Sequence, residues 1–193
     1  MSNRRSARRS ITKRILRETL LIFFVLVIIE FSGGSILATL SSAFETVPGL
    51  VLIIPPLLDM RGNINGALGA RLGSAFHLGL VNTRNIFNRE VRENLKASLM
   101  LSALLSLFAG FFACCICIVF GFAIEPFKVI IITFTAGSLA GLLLTMLTVL
   151  IVFIAVKRRA DPDNVTTPAI ATIGDLLTIV CIFAIVALLE KIW

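Results

Sequence analysis

Residues 129–156 read VIIITFTAGSLAGLLLTMLTVLIVFIAV, and no charged residue interrupts them. As a helix rising 1.5 Å per residue, this stretch is about 42 Å long, enough to cross the roughly 30 Å hydrocarbon core of a bilayer. An amphipathic helix of a soluble domain shows a polar stripe, and this one has none. The stretch before it, residues 97–124, is likewise free of charge. These two segments fix the fold class as all-α and polytopic in a membrane.

Working outward, apolar runs separated by short polar loops give five transmembrane helices at about 15–43, 48–80, 95–122, 127–156 and 167–191, preceded by a basic tail at 1–14. Glu125-Pro126 forms the turn before the fourth helix, and Pro48 suits the first turn of the second. The second segment is unusual. Pro55-Pro56 is followed by Asp59, Arg61, Asn63 and Asn65 among glycines, a composition that predicts a kinked or broken helix. Residues 81–96 read as a polar, charged connection with room for an amphipathic helix of its own. No internal repeat and no separate soluble domain is visible.

The whole chain is 58% hydrophobic and only 15% charged, with net charge +7, and its mean hydropathy is +1.00. The positive charge does not mark a nucleic-acid face. It is concentrated in the N-terminal tail, in Arg84, Arg89, Arg92 and Lys96, and in Lys157, Arg158 and Arg159. With five spans all three groups fall on one side, so the positive-inside rule sets the N-terminus in the cytoplasm and the C-terminus outside, in a multi-pass cell-membrane protein. One Trp and no Tyr leave little for base stacking. The four cysteines lie within apolar spans without zinc-ligand spacing and read as small packing residues.

Ionisable groups at membrane depth are expensive and point to function. Asp175 lies two turns into the fifth span, Asp59 in the second and Glu30 midway along the first. A single histidine, His77, rules out a His-rich transition-metal site. No nucleophile–base constellation suggests an enzyme. Oxygen ligands suit hard cations, and Mg2+ binds through one or two carboxylates while keeping several waters. A pair of Asp175 side chains from two subunits would serve that chemistry. Asp59 is either a further ligand or a structural partner of Arg61 or Arg71. Asn63 and Asn65 offer amide oxygens to an ion, or simply form turns beside Gly62 and Gly66. Glu30 either lines the path or bonds a neighbouring helix. An odd number of spans leaves little room for an ion path inside one bundle and favours a parallel homodimer about an axis normal to the membrane.

Two segments carry a resemblance. Asp161-Pro162-Asp163-Asn164-Val165-Thr166-Thr167-Pro168 with Ala171-Thr172-Ile173-Gly174-Asp175 resembles the last-helix signature of the MgtE magnesium-channel family. Pro55-Pro56-Leu57-Leu58-Asp59-Met60-Arg61-Gly62-Asn63 resembles its second-helix motif, closest to the branch shared with eukaryotic solute-carrier magnesium transporters. The resemblance implies a homodimer in the lipid bilayer with the ion path on its axis. It implies that Asp175 from each subunit binds partly hydrated Mg2+, the transported ion. The second and fifth helices are then expected to line the pore, with Thr167, Gly62, Asn65 and Thr172 beside the metal-facing Asp175, Asp59, Asn63 and Glu30. The cytoplasmic sensing domains of the bacterial family have no counterpart in this sequence, so their gating is not implied. The alternative is a sodium- or proton-coupled exchanger of Mg2+ or another cation, in which the carboxylates carry the coupling ion.

Overall fold

The computed structural model describes residues 20, 23–39, 49–81, 88–122, 125–158, 162–189 and 191. The basic tail, both ends of the expected first span, Arg84, Arg159 and Asp161 lie outside the described residues. Five helices account for nearly all of the rest, and no strand occurs among the described residues. They are α1 (Phe23–Thr39), α2 (Leu50–His77), α3 (Arg89–Phe120), α4 (Pro126–Lys157) and α5 (Pro162–Leu189). Helices α3 and α4, and α5 from Thr167 to Leu189, are long and apolar enough to cross a bilayer.

Local chemistry sets the helix ends. Asn88 caps α3, its side-chain oxygen accepting from the Val91 N–H at 3.0 Å. That cap starts α3 at Arg89, so the charged stretch up to Lys96 is helical rather than connecting loop. Gly121 ends the helix with φ 71°, the left-handed region that favours glycine. Pro126 occupies the first turn of α4, as its fixed φ favours. Likewise α5 opens at Pro162, ahead of the expected start at Thr167, and carries Pro168 inside it. Helix α2 is one helical element through Pro55 and Pro56.

Helices α2 and α4 form the central pair, each touching the other as well as α3 and α5. Helix α1 packs on α5: a Cβ added at Gly33 would meet Leu176 and Ile179 at 3.6 Å. Two apolar clusters fill the bundle. One joins Leu50, Ile53, Leu57, Ala113, Ile132, Ala140 and Ile182. The other joins Leu68, Leu72, Val91, Leu95, Val149 and Val152. Between them runs a buried polar belt of Arg61, Asn65, Ser102, Ser106, Thr145 and Thr148. The outer surfaces of α3 and α4 expose Phe108, Phe111, Phe112, Leu142, Leu143 and Leu150, the face that lipid covers. Arg89, Arg92 and Lys96 of α3 lie at the bundle end built on the second cluster, as does Lys157 of α4.

Candidate functional site

Helix periodicity divides the polar residues of α2 between two faces. Asp59 and Asn63, one turn apart, are exposed on one side, where Asn63 Nδ2 donates to Asp59 Oδ2 at 2.9 Å. Arg61 and Asn65 are buried on the other. Residues two apart in a helix do not face each other. Arg61 is therefore not the structural partner of Asp59. Nor is Arg71, whose Nε donates to Asn94 Oδ1 at 2.8 Å and whose Nη2 reaches Ser98 Oγ at 3.4 Å.

Three carboxylates gather on one side of the bundle. Glu30 from α1 bonds Thr172, three residues before half-buried Asp175 on α5, and Asp59 of α2 lies one turn before Gly62, which faces Ala171, one turn before Asp175. Glu30 is exposed, yet it accepts a hydrogen bond from Thr172 Oγ1 at 3.0 Å. Thr172 is only 4% exposed; it stands between α5 and α1 and orients Glu30. The three carboxylates do not close on one point: no group of three His, Cys, Asp or Glu side chains that could enclose a metal ion occurs among the described residues.

Close approach of α2 and α5 brings these groups together. A Cβ added at Gly62 would stand 3.9 Å from Ala171 Cβ, and one at Gly66 would stand 3.9 Å from Thr167 Cγ2. Gly62 and Gly66 lie one turn apart, as do Thr167 and Ala171, so the antiparallel helices meet along small residues. Thr167 itself is exposed at this seam. Asn65 is placed differently from Asn63. Its Nδ2 donates to the Arg61 carbonyl at 3.2 Å, and its Oδ1 accepts from Thr145 Oγ1 at 3.0 Å, which ties α2 to α4 inside the bundle.

The feature that sequence reading missed is the seat of Arg61. Its Nη2 donates to Ser106 Oγ at 2.7 Å, and Ser106 Oγ donates in turn to the Ser102 carbonyl at 2.6 Å. Opposite stand Gly137 and Gly141 of α4. A Cβ at Gly137 would lie 3.1 Å from Arg61 Nη2, and one at Gly141 would lie 2.6 Å from both Cβ and Oγ of Ser102. The signal was the matched spacing of Ser102/Ser106 and Gly137/Gly141, each one turn apart, which marks a slot for a large side chain. All four cysteines are free, with Cys114, Cys117 and Cys181 buried in helix packing.

A multi-pass helical bundle with acidic groups from three helices on one side has the character of a cation transporter. Residues 54–185 match the MgtE family, described as divalent cation transporters, and the chain belongs to that family. The match takes in Asp59, Arg61, Asn63 and Asp175, whereas Glu30 lies before it. Among curated proteins, the chain is similar to Solute carrier family 41 member 3 of Rattus norvegicus, 29% identical over 139 residues, or 70% of this chain and 30% of that protein. It is also similar to Solute carrier family 41 member 2 of Homo sapiens, 26% identical over 143 residues, or 70% of this chain and 24% of that protein. The matched stretch spans less than a third of the length of these relatives.

Proposed function

We propose that this chain carries Mg2+ across the cell membrane, along a path on the axis of a parallel homodimer lined by α2 and α5. The observation that carries the reading is the gathering of Glu30, Asp59 and Asp175 on one side of the bundle through the Thr172–Glu30 bond and the α2–α5 seam, with Asp59 and Glu30 exposed there. Charged groups at membrane depth that faced lipid would cost about 2.5–3.5 kcal/mol each on insertion scales. A second copy related by the axis covers that face and brings the two Asp175 side chains opposite each other. Two carboxylates facing a cation that keeps several of its waters is the coordination Mg2+ favours. Asn63 and Asp59, joined on the same face, extend the oxygen lining toward one end of the path, with Gly62 and Thr167 at the α2–α5 seam. Glu30, held by Thr172, lines the path from α1. Membership of a divalent-cation transporter family supports the same reading. The basic residues at the α3 and α4 ends face the cytoplasm, with the N-terminus on that side.

The test is Mg2+ uptake into proteoliposomes by the wild-type chain and by Asp175→Ala, with and without an opposing sodium or proton gradient. Uptake at background in a variant that melts like wild type is the expected result. Normal uptake by a well-folded Asp175→Ala chain would remove Asp175 from the path. Flux that follows the imposed gradient would instead make the protein a coupled exchanger.

A further inference from the structure

The polar belt holds one charge that the proposed path leaves unused. Arg61 is 0% exposed, lies between the two apolar clusters, and makes a single side-chain hydrogen bond, to Ser106. Its Nε and Nη1 have no hydrogen-bond partner, and neither does the neighbouring Ser102 Oγ. No carboxylate bonds to it among the described residues. A guanidinium does not deprotonate in proteins, so the bundle encloses a full positive charge with no counter-ion among the described residues. Replacing buried charges by apolar groups of similar volume is often neutral or stabilising. Packing alone therefore does not account for an arginine where a methionine would fill much the same slot.

The place of the charge suggests its use. In the chain Arg61 lies between Asp59 and Asn63, on the opposite face of α2. Its Cβ is 3.6 Å from where a Cβ at Gly174 would stand, and Gly174 immediately precedes Asp175. The positive charge thus sits behind the wall whose other side bears the acidic groups. An ion path must bind its cation well enough to admit it and weakly enough to release it. Two facing Asp175 carboxylates, with Asp59 and Glu30 adding negative charge nearby, draw a divalent cation in and slow its release. We propose that Arg61 is an affinity-setting residue: its fixed buried charge weakens cation binding on the carboxylate face and so speeds release. This rests on the transport reading above. The guanidinium is buried inside the bundle, so salt and water screen its field less than they would at a surface.

The experiment measures initial Mg2+ uptake into proteoliposomes against Mg2+ concentration for wild type, Arg61→Met, Arg61→Gln and Arg61→Lys, with the melting point of each. Met and Gln are expected to lower the apparent KM roughly tenfold and to lower kcat with it, whereas Lys keeps both close to wild type. Gln still reaches toward Ser106 and carries the test if Met fails to fold. An unchanged KM in the folded neutral variants overturns the proposal. So does a Lys variant that shifts as they do, because shape rather than charge would then matter. Loss of folding in both neutral variants makes Arg61 structural and overturns it as well. A wild-type chain that carries no Mg2+ removes the transport reading, and this inference with it. Asp175-dependent uptake with an unmoved KM removes this inference alone.

Discussion

The two faces of α2 are built from nearly the same ingredients and do opposite things. On one face Asp59 and Asn63 hydrogen-bond each other and stand exposed. On the other, Arg61 and Asn65 are buried and reach α3 and α4 through Ser106 and Thr145. Each face carries one charged group and one amide four residues apart, and the two pairs are offset by two positions in the chain. Among the described residues the outer pair bonds only within itself, which leaves its remaining oxygens open toward the proposed path. The inner pair is bound into the architecture, and only the field of its charge reaches outward. Direction on the helix, more than residue type, assigns the task.

Variants in the packing around the inner face, Arg61 itself aside, should then fail in stability and those on the outer face in transport alone, which orders the tests. The largest loss is expected for Gly141→Ala. The new Cβ would stand 2.6 Å from Ser102 Cβ, and overpacking of this kind costs about 1–3 kcal/mol, a fall of up to roughly 10 °C in the melting point. Gly34→Ala, with nothing within 4 Å of the new methyl, is its control and should stay within about 0.5 kcal/mol of wild type. Equal melting of the two would mean that the slot yields easily. Next comes Ser106→Ala, which strips Arg61 of its hydrogen bond and should cost about 1–3 kcal/mol. A melting curve unmoved by it would show that water already serves Arg61. Thr145→Val leaves Asn65 Oδ1 without its donor and should cost about 1 kcal/mol, some 2–4 °C, with the Mg2+ dependence of uptake unaltered. The smallest stability effect belongs to Asp59→Asn, within about 0.5 kcal/mol, yet its uptake should fall. If Asp59→Asn melts like the inner-face variants and transports normally, the contrast between the faces collapses.

The membrane class was legible because stretches such as 129–156 are long and free of charge, and that signal survives without any knowledge of packing. The turn at Glu125-Pro126 was legible for similar reasons. What was not legible was partnership. Pairing Arg61 with Asp59 follows from proximity in the chain, but a helix sets residues two apart on different sides. Pro55-Pro56 and the nearby glycines argued for a break in α2, and that obscured the simple periodicity placing 59 with 63 and 61 with 65. Asn63 and Asn65 read alike as amides in a row; only the neighbouring helix distinguishes them, since Thr145 lies 80 residues further on. Thr172 was expected at the pore. Its hydrogen bond to Glu30 joins α1 to α5, a contact between residues 142 apart that no local pattern encodes.

The glycine slot around Arg61 has a consequence for how such a sequence can change. While the arginine is present, the space that a Cβ at Gly137 or Gly141 would enter is occupied by its guanidinium and the facing serines, so neither glycine can acquire a side chain without a clash. Replacing the arginine alone does not lift that bar, because Ser106 Cβ and Ser102 Cβ still stand 2.6 Å from a Cβ at Gly137 and Gly141; the glycines can drift to alanine only once a facing serine has become glycine as well. After such drift the arginine no longer fits, and its return is closed. The arginine, the two serines and the two glycines are therefore coupled in sequence space and change together rather than one at a time.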